Sequence, residues 1–202
     1  MYQVMFATPP IKTEDYMGDE NFVDYVKDIE YQIKDYGTDT EPYANVNSVD
    51  TYILDQPIFA NLKKFIQENI DQYVIEVFAS RQKLKLTQSW VNKNETNTLH
   101  KMHYHSNSYL SGVFFFDNHP SKLQLLGDQK IWIELNEKQE FNEFNSSVFN
   151  VTVNRNRLAI FPSYVSHSVG LNNIKQTRYS LSFNTFPVGD LGVEAALTHV
   201  SM

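Results

Sequence analysis

The sequence predicts an α+β fold in which two N-terminal helices buttress a C-terminal β-core shaped as a sandwich or barrel. Three observations carry this. Apolar residues recur at helical spacing in two segments before residue 80. From Lys83 onward the pattern changes to the alternation of half-buried strands. Those strands are short, frequent and separated by turns containing Asn and Asp, which suits a closed or layered antiparallel sheet.

Taken in order, residues 1–10 read as a short strand ended by Pro9-Pro10, since proline cannot donate to a ladder. From about Asp19 to Tyr36, the residues Phe22, Val23, Tyr25, Val26, Ile29 and Ile33 lie close to helical spacing, and Gly37 offers a stop. Residues 38–54 read as loop. A second helix runs from about Pro57 to Phe78, with Ile58, Leu62, Phe65, Ile66, Ile70, Tyr73 and Val74 forming a stripe that packs on the sheet. Strands are expected at Lys83–Val91, Tyr109–Phe116, Leu123–Leu126, Lys130–Leu135, Ser147–Val153, Arg157–Phe161 and Arg178–Phe186. With no repeat and no long linker, residues 1–202 read as one domain, with helices in about 19–78 and the β-core in about 83–190.

Composition narrows the chemistry. At 42% hydrophobic and 14% aromatic, the chain can bury a core without covalent staples. It has no cysteine, which excludes thiolate nucleophiles, zinc fingers and iron–sulfur clusters. A net charge of -7 argues against an extensive nucleic-acid surface. No apolar run approaches the ~20 residues that span a bilayer, and the N-terminus lacks the basic start and apolar centre of a signal peptide. A soluble cytoplasmic protein is expected, with no membrane partner. A homodimer is one of the oligomeric states left open.

Six histidines are present, and three fall within six residues in Leu99-His100-Lys101-Met102-His103-Tyr104-His105. His103 and His105 are two apart, so on a strand their rings share a face. Imidazole suits iron, zinc, copper or nickel. His167, after the strand-like Arg157–Pro162, supplies a third ligand that a barrel can carry to the same mouth. His100 would share a face with His103 only on a helix, so it reads as a loop residue or a neighbour of the ligands. His119, beside Pro120, and His199 read as solvent-facing and without a role. In Arg178–Asn184, the polar residues Arg178, Ser180, Ser182 and Asn184 share one face, and Tyr179, Leu181 and Phe183 share the other. If the polar face points into the barrel, Arg178 can hold a carboxylate through paired hydrogen bonds, with the Ser180 hydroxyl adding a third. Tyr104, Asn107, Ser108 and Ser111 read as ordinary turn or barrel residues, while Trp90 and Asn92 could line the barrel.

These residues resemble the iron(II)/2-oxoglutarate-dependent oxygenases, above all a 2OG-Fe(II) oxygenase group of phages and marine bacteria. The likeness lies in Ser89–Asn92, in His103–Phe115, in Leu158–Ser163 before His167, and in Arg178–Asn184. It covers roughly residues 85–186; the N-terminal helices carry no matching motif. The resemblance implies a double-stranded β-helix (a jelly-roll or cupin-like barrel) with Fe(II) at its open end. It also implies 2-oxoglutarate as co-substrate and O₂ as oxidant. His103, His105 and His167 would be the catalytic metal ligands; Arg178 and Ser180 would bind the distal carboxylate of 2-oxoglutarate. His105 departs from the pattern, since most of the superfamily has Asp or Glu there. Either His105 is the third ligand, which the spacing favours, or two histidines bind the metal and a position is left for water or halide. Three neutral imidazoles keep the Fe(II) site at +2, which dianionic 2-oxoglutarate would neutralise.

The implied reaction is oxidative decarboxylation of 2-oxoglutarate to succinate and CO₂, coupled to hydroxylation of a peptidyl or small-molecule substrate. Two other classes compete. One is a cupin-type three-histidine metalloenzyme that does not use 2-oxoglutarate. The other is a non-catalytic jelly-roll binding module.

Overall fold

The structure, a computed structural model, describes residues 7–34, 45–127, 140, 142 and 145–201. Among these residues eleven strands build two antiparallel sheets. The larger has the order β1-β9-β6-β11-β4-β3-β2, with β1 at Lys12–Asp15, β2 at Tyr31–Lys34, β3 at Asn45–Ser48, β4 at Lys83–Asn94, β6 at Leu110–Phe115, β9 at Arg157–Pro162 and β11 at Arg178–Val188. The smaller has the order β5-β10-β7-β8, with β5 at His100–His103, β7 at His119–Leu126, β8 at Val148–Val153 and β10 at His167–Val169. Two helices, α1 (Phe22–Asp28) and α2 (Ala60–Phe78), pack on the larger sheet.

The larger sheet is buried on both faces, and the period of two decides which residue serves which face. Leu110 and Phe114 of β6, Leu158 and Ile160 of β9, and Tyr179, Leu181 and Phe183 of β11 join Leu62, Ile66, Ile70 and Tyr73 of α2 in one core. The intervening Val113, Phe115, Ala159 and Phe161 meet Leu123, Leu125, Val151 and Val153 of the smaller sheet in a second core. An aromatic cluster ties α1 to the first core. Phe22 stacks on Phe59 at 5.2 Å and meets Phe114 edge-on at 6.1 Å.

Most predicted strands are present, with ends shifted by a few residues. Of the strand expected at residues 1–10, residues 1–6 lie outside the described residues and 7–10 are not in a strand; β1 lies beyond Pro9-Pro10, where every residue can donate to a ladder, and pairs with β9, with Asp15 and Arg157 closing the edge through two charge-assisted bonds of 2.8 and 3.0 Å. The helix expected over Asp19–Tyr36 stops at Asp28. Ile29 is already extended, and the Tyr31 hydroxyl donates to the Val26 carbonyl near the helix end. Tyr31 and Ile33 then alternate in β2, against β3. That third strand falls where a loop was expected, because its buried residues, Asn47 and Ser48, are polar. They are held by polar bonds: Asn47 Nδ2 donates to Asn92 Oδ1 at 2.8 Å, and the Val91 N–H donates to Ser48 Oγ at 3.0 Å. The three-residue β10 is another strand the alternation did not disclose. Gly37 and the strand expected at Lys130–Leu135 lie outside the described residues.

Gly112 is the position in β6 where a side chain cannot fit. A Cβ there would sit 2.2 Å from Phe183 Cζ and 2.8 Å from the Ala159 carbonyl oxygen. The missing side chain is what lets Phe183 fill the first core. We expect Gly112→Ala to cost about 1–3 kcal/mol, typical of overpacking. Equilibrium urea unfolding measures this; an unchanged midpoint would mean that Phe183 has another place to go.

Candidate metal centre

The two sheets deliver different parts of one site. β5 and β10, in the smaller sheet, pair so that His103 lies directly opposite His167. His105 lies past the end of β5, so strand alternation does not position it. Its backbone N–H donates to the Ser163 carbonyl at 3.0 Å, and this turns the ring back toward the other two. Ring centroids are 5.1 Å apart for His103–His105, 4.3 Å for His103–His167 and 5.0 Å for His105–His167. One ligating atom from each of these rings lies within 4.8 Å of the other two.

Hydrogen bonds decide which nitrogen faces the centre. His103 Nδ1 lies 2.8 Å from the Lys101 carbonyl oxygen, and His167 Nδ1 lies 3.0 Å from the Val165 carbonyl oxygen. A carbonyl can only accept, so both Nδ1 atoms carry the proton and both Nε2 atoms present a lone pair. His105 Nδ1 lies 2.5 Å from Asn184 Oδ1, which assigns its proton in the same way. The Nε2 atoms of His103 and His105 are then 3.2 Å apart with no hydrogen between them. Two lone pairs facing each other at that distance repel unless a cation sits between them. Burial lowers the pKa of all three rings, His167 to about 3, so each is a neutral donor at pH 7.

β11 brings the other half. Its polar face points between the sheets, where Arg178, Ser180 and Ser182 line a cavity with the histidines. The cavity measures about 420 Å³ including its mouth and the solvent it opens to. No Asp or Glu among the described residues lines it. Arg178 is 2% exposed. Its Nη2 donates to Asn94 Oδ1 at 3.1 Å, while its Nε and Nη1 have no hydrogen-bond partner among the described residues. Desolvation pulls its pKa down to about 10, which still leaves it charged at pH 7. A buried cation with two free donors calls for an anion. The Ser180 side chain, also buried, has no hydrogen-bond partner among the described residues.

His100, read from the sequence as a loop residue or neighbour, is in β5 and lines the cavity. Its ring stacks on that of His103 at 4.5 Å and 15°. His119 is not solvent-facing. It is 6% exposed at the start of β7, where its Nδ1 accepts the Ser121 N–H at 3.1 Å and its Nε2 lies 3.4 Å from the Gln176 carbonyl oxygen. His199 lies outside the site, 3.6 Å from Asp190. Trp90 and Asn92 line the cavity as expected. Ser108 and Ser111, read as ordinary polar residues, belong to a hydroxyl row ending at His105. Asn184 was seen only as one member of a polar face; no local spacing could reveal that it meets His105.

Residues 88–184 match a family model described as "Putative 2OG-Fe(II) oxygenase". No curated protein sequence matches. Solved structures share the fold. An oxidoreductase of the 2OG-Fe(II) oxygenase family from Burkholderia pseudomallei aligns with 82% of this chain and 77% of its own, at 10% identity and a TM-score of 0.57. A prolyl hydroxylase from Trichoplax adhaerens, solved with a peptide fragment of hypoxia inducible factor, covers 89% and 84% at 11% identity and 0.58. HygX from Streptomyces hygroscopicus, solved with nickel and 2-oxoglutarate, covers 88% and 82% at 12% identity and 0.58. The double-stranded β-helix expected from the resemblance is therefore the fold of this chain.

The neutral, buried imidazoles make metal-free stability depend on pH. His100, His103, His105, His119 and His167 all have pKa values below the ordinary 6.5, chiefly through desolvation. Above pH 6.5 neither folded nor unfolded chain gains protons at these rings, so their contribution is complete there. Below it the unfolded chain takes up protons that the folded chain refuses, and stability falls by about 1.4 kcal/mol per pH unit for each such ring. Chelator-treated protein should melt at the same temperature at pH 7 and 8, and several degrees lower at pH 5.5. A flat profile across that range would contradict the burial of these rings.

Proposed function

We propose that the chain is a 2OG-Fe(II) oxygenase, the family whose model matches residues 88–184, and that His103, His105 and His167 hold the Fe(II), with Arg178 and Ser180 binding 2-oxoglutarate. The observation that carries this is a complementary pair of deficits. Three inward-facing Nε2 lone pairs converge within reach of one cation, and a buried guanidinium on the opposite sheet has two donors without a partner among the described residues. A dicarboxylate with an adjacent keto group satisfies both. One end can reach the metal while the other accepts from Arg178 Nε and Nη1, with the Ser180 hydroxyl beside them.

Bound Fe(II) supplies O₂ activation coupled to decarboxylation of the 2-oxo acid to succinate and CO₂. The protein's own contribution is positional. Its carbonyl-tethered imidazoles keep three donors oriented. Arg178 fixes the register of the co-substrate, and the apolar residues Val113, Phe115, Leu123 and Phe161 wall the cavity against water. Charge balance agrees: neutral ligands leave the metal at +2, Arg178 adds +1, no lining carboxylate offsets either, and a dianion is drawn in.

Hydroxylation is the reading for the second substrate, which would be peptidyl or a small molecule. Both kinds of context occur among the structural neighbours, a peptide-bound prolyl hydroxylase and an epimerase from nogalamycin biosynthesis. The reading treats the chain as one domain. The cysteine-free composition supports action in a reducing cytoplasm. No helix among the described residues is long and apolar enough to cross a membrane.

The decisive test is anaerobic titration of the Fe(II)-loaded protein with 2-oxoglutarate. A visible charge-transfer band and, on admitting O₂, release of succinate are expected; His103→Ala should lose both. If 2-oxoglutarate leaves the metal spectrum untouched, a three-histidine enzyme that does not use it takes precedence. Arg178→Met gives a second, sharper expectation. Without co-substrate the variant should be at least as stable as the parent, because a buried, half-paired charge has been removed. Its affinity for 2-oxoglutarate should fall at least ~100-fold, since two hydrogen bonds to charge at ~1.5–3 kcal/mol each are lost. Thermal melts with and without 2-oxoglutarate read both effects.

A further inference from the structure

Two of the three imidazoles are held by backbone carbonyls, groups that can only accept. His105 is held differently. Its Nδ1 meets the side-chain amide of Asn184, which has an acceptor at one end and a donor at the other. We infer that Asn184 is the positioning residue that makes His105 a metal ligand, by holding its Nδ1 protonated and its Nε2 free. This inference rests on the metal-binding reading above.

Several independent features aim Asn184 at this task. It faces the barrel interior from β11, opposite Ser111 of β6. The pairing of β11 with β4 shifts register between Phe183 and Thr185, where Asn184 stands against two β4 residues, Thr87 and Gln88; the bulge therefore lies in β4, and β11 stays in register with β6 through Asn184. Ser111 Oγ donates to Asn184 Oδ1 at 2.8 Å, so one oxygen accepts from both Ser111 and His105. Ser163 Oγ, 2.7 Å from Ser111 Oγ, extends this row, and the Ser163 carbonyl accepts the His105 backbone N–H. The ring of His105 is thus secured from β11 and β6, and its backbone from Ser163, just past β9.

The consequence is specific. With Oδ1 toward the ring, the site offers three nitrogen lone pairs. Were the amide turned over, Nδ2 would donate to Nδ1, the ring proton would move to Nε2, and the site would offer two. A carboxylate ligand at this position would need no such control, because it has no tautomer to choose. Histidine at position 105 therefore transfers part of the site's specification to a residue 79 positions away in sequence.

The test uses metal-free, 15N-histidine-labelled full-length protein, with ring nitrogen and carbon correlations reporting each tautomer and a His105→Gln variant assigning the resonance. The wild type should show His105 as the Nδ1–H form. Asn184→Ala should give a mixture of tautomers, whereas Asn184→Asp, which can only accept, should restore the single form. Ni(II) titration by calorimetry then reads the consequence. Asn184→Ala should bind about 10–100-fold more weakly, as for losses of groups that orient a ligand, and Asn184→Asp at least as tightly as wild type. A wild-type His105 in the Nε2–H form, or an Asn184→Ala protein with an unchanged tautomer and a Ni(II) affinity within twofold, overturns the inference. Because the tautomer is read without metal or co-substrate, a wild type that binds no metal would sink the functional proposal and leave the tautomer result standing.

Discussion

The structure depends on one strand meeting two incompatible environments. In β11, Tyr179, Leu181 and Phe183 are packed into an apolar core under the helices, while Arg178, Ser180 and Ser182 line the cavity between the sheets and Asn184, next on that face, meets His105. A slip of one residue would exchange the two sets, putting a guanidinium among phenylalanines and aromatic rings in the active cavity. The helices are thus part of the site's construction. By demanding the apolar face, they oblige the polar one to point at the histidines. Gly112 serves the same constraint, yielding its side-chain volume so that Phe183 can seat fully.

The cavity is built around what it lacks. Two donors of a buried arginine have no partner, and Nε2 lone pairs of two histidines stand 3.2 Å apart. Both arrangements cost free energy in the bare protein and are relieved by ligands of opposite sign. This is the usual sense in which a binding site trades fold stability for affinity. With histidine at position 105, the ligand set carries no charge of its own. The burden of neutralising the metal falls on the co-substrate, and the arginine reinforces that demand.

Much of this was legible in the sequence, for reasons that can be named. The spacing of His103 and His105, the lone His167 after a strand, and the alternation from Arg178 to Asn184 all survive projection onto one dimension. Their convergence is what the structure brings. Local pattern failed where polar residues take the place of apolar ones. β3 is held by buried Asn47 and Ser48, so no hydrophobic period announces it. The helix at Phe22 was extended too far because Ile29, Tyr31 and Ile33 suit either period over so short a run, and pairing with β3 decided the outcome. Asn184 and Ser111 were unreadable as partners of His105 because their link exists only across strands. Of the two readings of His100, loop residue or neighbour of the ligands, the structure gives the second, with the ring in β5 and stacked on His103.

The strand that carries His103 is four residues long and has one described neighbour, β10, whose own three residues include His167. Such a margin has little intrinsic cohesion, since few ladder bonds and scant apolar area anchor it. An ion shared by the two opposed rings would act as a rivet through that margin, joining neighbouring strands by coordinate bonds where the hydrogen-bond ladder is thinnest. Loading the centre and finishing the barrel's rim would then be a single event.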